Sequence, residues 1–282
     1  LLGLTPVFAD VNPDTFTIDI ESIESLITSR TKAIVPVHLY GQCADMEAIL
    51  AIARRYNLFV IEDTAQALGA RFTFSDGTTA QAGTMGTVGT TSFFPSKNLG
   101  CFGDGGAIFT ADAALAEHMR MVANHGQKKK YHHDLVGINS RLDTLQAAIL
   151  EVKLRHLPEY EHNRRAAADF YDAALSGLGG LTVPVREPRS THVFHQYTLK
   201  AERRDELKAW LEQRGVPTMI YYPVPLHFQE AYRKEGIGPG TFPVSEELSR
   251  TVISIPIHTE LDTATMDMST NRRTLMSRSR MA

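Results

Sequence analysis

The stretch Leu58-Phe59-Val60-Ile61-Glu62-Asp63 is a short apolar run that ends in two acidic residues. An apolar run of this length is typical of a strand that is buried on both faces of a sheet. Another apolar run, from Ala33 to His38, precedes it, and Met46 to Tyr56 between them carries apolar side chains at helical spacing. Strand, helix and strand in this order predict a βαβ unit with a right-handed crossover.

The alternation of strands and helices extends through much of the chain and defines the expected architecture. We expect an α/β fold: a mixed, mostly parallel sheet with helices on both faces, followed by a smaller C-terminal α+β domain. The predicted boundaries are 1–155 for the large domain and 156–262 for the small one. Residues 263–282 form a polar tail without helical periodicity, which we expect to be disordered or aberrant.

A long helix is predicted next to the domain boundary. Ser140 is a candidate for its N-cap. The apolar residues that follow are spaced as on one helical face, namely Leu142, Leu145, Ile149 and Val152.

Composition excludes several classes of protein. The 282 residues are 43% hydrophobic and 22% charged, which is typical of a soluble globular protein. The net charge of -3 does not suggest a nucleic-acid or polybasic membrane partner, and no apolar run approaches membrane-spanning length. Cys43 and Cys101 are too few for a disulfide framework and favour a reducing, cytoplasmic compartment.

Asp63 is the first candidate for chemistry, because open α/β sheets bind ligands at the carboxyl ends of their strands. A carboxylate at that position is costly to desolvate unless a cation or a hydrogen-bond donor meets it. Taken alone, Asp63 could also be a helix N-cap or an acidic residue of a surface loop.

Lys97 is the second candidate, in Thr91-Ser92-Phe93-Phe94-Pro95-Ser96-Lys97-Asn98-Leu99-Gly100. Its neighbours are aromatic and small rather than charged, and burial would lower the pKa of its amine for Schiff-base chemistry. The glycines from Gly100 to Gly106 allow close backbone approach but do not form a P-loop. A strand-end acid followed by a lysine loop suggests pyridoxal phosphate (PLP), which needs a lysine, a carboxylate and phosphate donors.

Several ordered motifs carry a family resemblance. The segments are Glu62 to Ala67, Ser92 to Gly100, Gly103 to Ala107, Asn124 to Gly126, Gly137 to Asp143 and Tyr221 to His227. Together they resemble the DegT/DnrJ-type aminotransferases, PLP enzymes that act on keto sugars attached to nucleotides, over roughly residues 1–262. Within the family, His125 to Gln127, Tyr131 to His133 and Asn139 to Ala148 look most like the 3-aminotransferases of UDP-linked 3-keto-N-acetylglucosaminuronic acid.

The resemblance implies a role for four residues around the cofactor. Lys97 would hold the PLP aldehyde covalently and then transfer protons between the amino donor and the cofactor. Asp63 would pair with the pyridine nitrogen, Gln66 would hydrogen-bond the ring hydroxyl, and Ser92 would contact the phosphate.

It also implies contacts outside that set. Asn139 would reach the cofactor phosphate of a neighbouring subunit, since the family builds its site across a homodimer. Arg141 would face a carboxylate of glutamate or of a uronic acid, and Tyr221, Tyr222 and His227 would lie near the sugar nucleotide.

Without the resemblance, these residues have simpler interpretations. Asn139 could end a loop, Arg141 could be a solvated surface residue, and Tyr221-Tyr222 could be core residues before an extended turn at Pro223. Cys101 together with His125, His132 and His133 fits no tetrahedral zinc spacing, so no metal is predicted.

The function implied is transfer of an amino group from L-glutamate to a UDP-keto sugar, for surface polysaccharide such as lipopolysaccharide O-antigen. Two alternatives stay open: a catalytically silent sugar-nucleotide-binding or regulatory protein, and an inactive fragment. A sugar dehydratase is disfavoured, because the resembling dehydratases carry His in place of Lys97. The resemblance further implies a segment before Leu1 with a phosphate-binding helix N-terminus and a stacking aromatic, so we expect the chain to lack its start.

Overall fold

The computed structural model describes residues 2–233 and 237–270, which contain eleven strands and eight α-helices. The strands are β1 (Ala33–Ile34), β2 (Phe59–Asp63), β3 (Arg71–Thr73), β4 (Thr79–Gln81), β5 (Val88–Ser92), β6 (Gly106–Phe109), β7 (Gln127–Lys129), β8 (His132–His133), β9 (Leu181–Thr182), β10 (Tyr197–Ala201) and β11 (Val252–Ile255). The helices are α1 (Ile20–Ser25), α2 (Met46–Tyr56), α3 (Ala113–Ala123), α4 (Thr144–Leu154), α5 (Leu157–Leu175), α6 (Arg204–Glu212), α7 (Pro243–Thr251) and α8 (Thr263–Thr270). Across these described ranges, no helix combines the length and apolar character that a membrane crossing requires.

The central sheet has the strand order β1-β2-β5-β6. Strands β1, β2 and β5 are parallel, whereas β6 runs antiparallel to β5. The register pairs Ile61 with Val88 and Asp63 with Thr90, so β2 and β5 end at the same edge of the sheet. The predicted mixed, mostly parallel sheet is confirmed, and its carboxyl edge brings Asp63 and Ser92 together.

Helix α2 connects β1 to β2 and covers one side of the sheet. The Asp45 side chain caps its start by accepting the Ala48 N–H at 3.2 Å, and Asn57 ends it in the left-handed conformation at φ 51°. Met46 and Ile49 are fully buried in the same cluster as Val60 of β2. The helical spacing of apolar residues therefore builds the core that supports the strand ends.

A separate antiparallel sheet has the order β11-β10-β9. Its core contains Tyr171 of α5, Tyr197 of β10, Leu211 of α6 and Ile253 of β11. These elements all follow residue 155, while the exact domain boundary stays a prediction.

Two elements differ from the sequence expectation. Helix α4 begins at Thr144 rather than at Ser140, because the Ser140 N–H donates to the Ala123 carbonyl and holds the preceding residues in an irregular segment. Residues 263–270 form helix α8 where a tail without helical structure is expected. Asp262 accepts the Thr265 N–H at 2.7 Å, and Met266 packs on the second core, so a cap and tertiary packing outweigh the polar composition. The rest of the predicted tail, 271–282, lies outside the described residues.

Candidate active site

Asp63 lies at the last position of β2, at the carboxyl edge of the central sheet. Both of its backbone groups pair with the segment after β1: its N–H donates to the Pro36 carbonyl at 2.9 Å, and its carbonyl accepts the His38 N–H at 3.0 Å. Its Oδ1 accepts the Ala65 N–H at 3.0 Å, so the carboxylate is turned over the strand end. The predicted position of Asp63 at this edge is confirmed.

Lys97 lies in a tight loop that follows β5. The Lys97 N–H donates to the Phe94 carbonyl at 2.9 Å, and a Cβ on Gly100 would lie 2.5 Å from the Pro95 carbonyl oxygen. The loop therefore closes only with glycine at position 100. Burial lowers the pKa of the Lys97 amine, and the charge of Asp63 opposes that shift, so the amine and the carboxylate share one site.

Ser92 is the last residue of β5, and its Oγ accepts the Phe94 N–H at 3.2 Å. The hydroxyl hydrogen is thereby left for another acceptor. Ser92 thus lies at the start of the Lys97 loop, on the edge that carries Asp63.

Gln66 joins the strand end to two tyrosines. Its Oε1 accepts the Tyr40 N–H at 2.7 Å, and its Nε2 donates to the Tyr222 hydroxyl oxygen at 3.1 Å. The pKa of Tyr222 is raised, first by burial and further by the charges of Tyr221 and Asp63. The structure therefore brings Asp63, Gln66 and Tyr222 together, although Tyr222 lies far from the other two in sequence.

Tyr221 and His227 are held differently. The Tyr221 carbonyl accepts a hydrogen bond from the Tyr40 hydroxyl, which ties the tyrosine pair to the loop after β1. His227 is buried against the Phe242 ring and lies 3.3 Å from a Glu246 carboxylate oxygen. Its ring is already partnered within the fold, and a substrate contact from His227 stays a prediction.

Asn139 and Arg141 lie on an exposed segment between α3 and α4. The backbone of Asn139 forms a bridge with Asn124, and both predicted side chains are exposed. Within one copy of the chain, they are presented to solvent rather than packed against the Lys97 loop.

Sequence reasoning missed a buried hydrogen-bonded pair, Glu62 and His38, beneath the site. Glu62 and His38 are fully buried, with the His38 Nε2 2.9 Å from a Glu62 carboxylate oxygen. The carboxylate also accepts the N–H groups of Gly83, Met85 and Gly86, at 2.8, 2.7 and 2.5 Å. Burial raises the pKa of Glu62, but the hydrogen bond with His38 and the backbone donors Gly86 and Gly83 outweigh burial and hold the pKa below its usual value.

His195 is another residue that the sequence did not single out. It is buried, and its pKa is lowered to about 3 by burial first and then by the charges of Lys97 and Arg164. The sequence signal was only a histidine within an apolar run, which is more often a core residue.

The donor set at the sheet edge suits PLP. A half-buried lysine amine lies within the electrostatic influence of a strand-end carboxylate, and a serine hydroxyl and a glutamine amide lie on the same edge. An aldehyde, a pyridine nitrogen, a phosphate and a ring hydroxyl are the groups that such side chains hold. The residues present fit this cofactor.

Comparison with solved structures gives the class of protein. The fold is that of the PLP-dependent aminotransferases: the chain is similar to DesV of S. venezuelae, solved in complex with a ketimine intermediate. The TM-score is 0.90 at 43% identity, and the match covers 96% of this chain and 72% of DesV. The model of the DegT/DnrJ/EryC1/StrS aminotransferase family matches residues 1–270, and the chain belongs to that family, whose aminotransferases are PLP-dependent.

Three relatives show the range of names within the family. A pleiotropic regulatory protein of Geobacillus stearothermophilus is 49% identical, over 92% of this chain and 69% of its own length. A UDP-2-acetamido-2-deoxy-3-oxo-D-glucuronate aminotransferase of Pseudomonas aeruginosa is 47% identical, over 94% of this chain and 72% of the relative. A dTDP-3-amino-3,4,6-trideoxy-alpha-D-glucose transaminase of Streptomyces venezuelae is 45% identical, over 92% of this chain and 67% of the relative.

The Glu62 network leads to a pH-dependent stability prediction. Because the pKa of Glu62 is lowered on folding, its ionised form stabilises the protein above the unfolded pKa of about 4.3. That contribution is lost as the pH falls through the folded value. We expect Glu62→Gln to lower the free energy of unfolding by about 2–4 kcal/mol at pH 7, and by less below about pH 4. Urea denaturation at both pH values measures this difference.

Glu151→Gln is the matched control, because Glu151 is exposed on α4. We expect it to change the free energy of unfolding by no more than about 0.5 kcal/mol at either pH. An equal loss for Glu62→Gln at both pH values would contradict a stabilising role of the Glu62 charge.

Proposed function

We propose that this chain is a sugar-nucleotide transaminase in which Lys97 binds PLP and Asp63 pairs with the pyridine nitrogen. The observation that carries the proposal is that the half-buried Lys97, in the loop after β5, and Asp63, at the end of β2, share the carboxyl edge of the sheet, where the charge of Asp63 acts on the Lys97 amine. Burial lowers the pKa of the amine, which favours the neutral form that attacks a carbonyl carbon.

Each proposed residue has a separate task. PLP, when bound, supplies a ring that stabilises negative charge at the substrate carbon. Asp63 keeps a proton on the pyridine nitrogen, and Ser92 and Gln66 orient the phosphate and the ring hydroxyl. Lys97, once released from the cofactor, is the amine that takes and returns the proton at the reacting carbon.

We propose L-glutamate as amino donor and a UDP-linked 3-keto-N-acetylglucosaminuronic acid as acceptor. The Pseudomonas aeruginosa relative supports this acceptor, and the dTDP-sugar transaminase is the competing precedent. Tyr221, Tyr222 and His227 are proposed to contact the sugar nucleotide, and the amino sugar product would enter a surface polysaccharide such as lipopolysaccharide O-antigen. Free thiols at Cys43 and Cys101 support a cytoplasmic location for this chemistry.

A second copy of the chain is proposed to complete the site. Helix α4 begins beside an exposed apolar patch, here defined as Phe102, Leu142 and Leu145. The patch is held against the glycine loop, because the Phe102 N–H donates to the Gln146 side chain at 2.8 Å and Leu142 packs on Gly105. Asn139 and Arg141 precede the same helix start, so a copy covering the patch would receive both side chains near its own cofactor.

A catalytically silent regulator is the second candidate, favoured by the name of the Geobacillus stearothermophilus relative. Such a protein could bind a sugar nucleotide without chemistry. The presence of Lys97 and Asp63 in one site supports the enzyme over the regulator.

The first prediction from the proposed function concerns Lys97. We expect Lys97→Ala to abolish the visible absorbance band of the lysine-bound cofactor, because the amine that forms the bond is gone. Transamination should fall by at least about a thousandfold. An absorbance scan with added PLP, followed by an activity assay, measures both.

Lys208→Ala is the control, since Lys208 lies on α6 and pairs with Glu212. It should keep the band and the rate. A band that survives in Lys97→Ala would overturn the assignment, whereas a wild-type band without turnover on any keto sugar would favour the silent regulator.

The second prediction concerns Arg141 and separates its two proposed ligands. We expect Arg141→Gln to lower kcat/KM by about tenfold to a hundredfold for the uronic-acid substrate, because one charge-assisted hydrogen bond to a carboxylate is lost. If the carboxylate belongs to the sugar, kcat/KM for the corresponding UDP-keto sugar without a carboxyl group should change little. If it belongs to glutamate, kcat/KM should fall equally with both sugars.

Arg155→Gln is the matched control, because Arg155 is exposed and pairs with Glu151 at the end of α4. The measurement is the rate with a panel of UDP-linked and dTDP-linked keto sugars, and the product of each reaction is identified by its mass. No loss in Arg141→Gln with either sugar would remove Arg141 from the substrate site.

The third prediction concerns the copy-to-copy contact. Leu145 and Leu154 lie nine residues apart on α4, which places them on opposite sides of the helix. Their exposed fractions are 71% and 53%. We expect Leu145→Glu to shift the chain from dimer to monomer, because a charge would be buried in the contact, whereas Leu154→Glu should leave it dimeric. Sedimentation velocity measures the change, and equal behaviour of the two variants would contradict the proposed contact.

A further inference from the structure

Tyr40 lies in the loop between β1 and α2 and is anchored in a small apolar core. It is only 5% exposed, and its ring packs edge-on against Phe16 in a buried cluster that also contains Leu248 and Val252. Its φ of 58° is a left-handed conformation that a tyrosine adopts only when its surroundings impose it. Tyr40 is therefore a fixed point, and two of its polar groups bond to residues of the candidate site.

The backbone N–H of Tyr40 fixes the orientation of the Gln66 amide. This N–H donates to the Gln66 Oε1 at 2.7 Å. Because a backbone N–H can only donate, the amide must turn its oxygen toward Tyr40 and its Nε2 hydrogens away from it. Nε2 donates one of them to the Tyr222 hydroxyl oxygen at 3.1 Å. The other is left for the ring hydroxyl that Gln66 is proposed to bind.

The hydroxyl of Tyr40 holds the same tyrosine through its backbone. It donates to the carbonyl oxygen of Tyr221, directly before Tyr222. Burial raises the pKa of both Tyr40 and Tyr222, so both hydroxyls keep their hydrogen at neutral pH. Tyr40 thus holds Tyr222 at two points, through Gln66 at the hydroxyl and through the Tyr221 carbonyl at the backbone.

The Tyr222 hydroxyl is left with one hydrogen to donate. Its oxygen accepts from Gln66, and Tyr222 is 53% exposed, so the hydrogen is available to a ligand. The charge of Asp63 acts on the same hydroxyl, as expected for a group at the carboxyl edge of the sheet. A donor in this position suits an acceptor oxygen of a phosphate or of a sugar.

We propose that Tyr40 is a positioning residue for Tyr222: it holds the Tyr222 hydroxyl as a hydrogen-bond donor to an oxygen of the bound sugar nucleotide. The inference rests on the proposed function for the identity of that ligand. Removal of the Tyr40 hydroxyl would release the backbone before Tyr222 and weaken this donation. The Tyr40 N–H would remain, so the Gln66 amide would keep its orientation toward the cofactor.

The test is the affinity of the PLP-supplemented chain for unreactive probes, measured by titration calorimetry. The probes are UDP-N-acetylglucosaminuronic acid and dTDP-glucose, which have no ketone to transaminate, and UDP and dTDP alone. We expect Tyr222→Phe to raise the dissociation constant of the sugar nucleotide about tenfold and Tyr40→Phe about fivefold, since one hydrogen bond to the ligand is lost or weakened. An equal rise for the nucleotide alone assigns the acceptor to the diphosphate, and a rise confined to the sugar nucleotide assigns it to the sugar.

The double variant shows whether Tyr40 acts through Tyr222. If it does, Tyr40→Phe combined with Tyr222→Phe should stay within about twofold of Tyr222→Phe alone. Independent contributions would multiply to about fiftyfold, and that result would overturn the proposal. So would a Tyr40→Phe chain with wild-type affinity, or a wild-type chain that binds none of the probes.

Tyr171→Phe is the matched control. Tyr171 is fully buried, and its hydroxyl donates to the Pro256 carbonyl at 2.8 Å in the second core. Both single variants lose one buried hydroxyl-to-carbonyl bond, so thermal unfolding should show similar losses of stability. Only Tyr40→Phe should weaken probe binding, and its cofactor absorbance band should be unchanged. Equal weakening of binding in Tyr171→Phe would reduce the Tyr40 effect to one of stability and overturn the proposal.

Gln66→Leu supplies a second test should Tyr40→Phe not fold, because it breaks the other arm of the same bridge. Tyr222→Phe added to Gln66→Leu should then raise the dissociation constant by no more than about twofold. A further full tenfold rise would show that Tyr222 acts without the bridge and would overturn the proposal.

Probe binding needs no turnover, so this proposal fails independently of the transaminase assignment. A lost cofactor band in Lys97→Ala with unchanged probe affinity in Tyr40→Phe would remove the Tyr40 role alone. Non-additive affinities in a chain that turns over no keto sugar would leave the Tyr40 role standing and remove the transaminase.

Discussion

The arrangement of the site depends on the hydrogen bonds of one buried group, the Glu62 carboxylate. It accepts hydrogen bonds from three backbone N–H groups between Gly83 and Gly86 and faces the ring of His38. The Ala44 N–H donates to the other ring nitrogen of His38, which leaves Nε2 to carry the proton toward Glu62. Since a buried carboxylate without donors is costly, the loops on both sides of β2 cannot move independently.

From His38 this constraint passes along the chain into the site. Tyr40, two residues on, adopts a left-handed φ of 58°, and its N–H donates to Gln66 while its hydroxyl donates to the Tyr221 carbonyl. Gly41, the next residue, packs against the segment that carries His195. One short loop therefore sets the relative positions of side chains from three distant parts of the sequence.

The features that could be predicted from the sequence have local signals. The βαβ order follows from apolar spacing, Asp63 from its place after an apolar strand, and Lys97 from its aromatic and glycine neighbours. The contacts of Tyr40 and His195 could not be predicted in this way, because they join residues far apart in the chain and depend on strand register. Local signals also failed at the start of α4 and over α8, where backbone pairing and packing on the second core outweigh the residue types.

The alternation of side-chain direction along β2 explains how two adjacent acidic residues have different roles. Successive strand residues point to opposite faces of a sheet, so Glu62 points into the core and Asp63 into the site. Glu62 is saturated by its buried donors, whereas the Asp63 carboxylate accepts the Ala65 N–H and keeps further lone pairs available. Asp63 is thus the acid that can meet a cationic nitrogen. Burial disfavours the charged form of Lys97 and, with Lys97 and Arg164, excludes a charge on His195. The site therefore presents Asp63 as its available carboxylate, the group that the proposed pairing with a protonated pyridine requires.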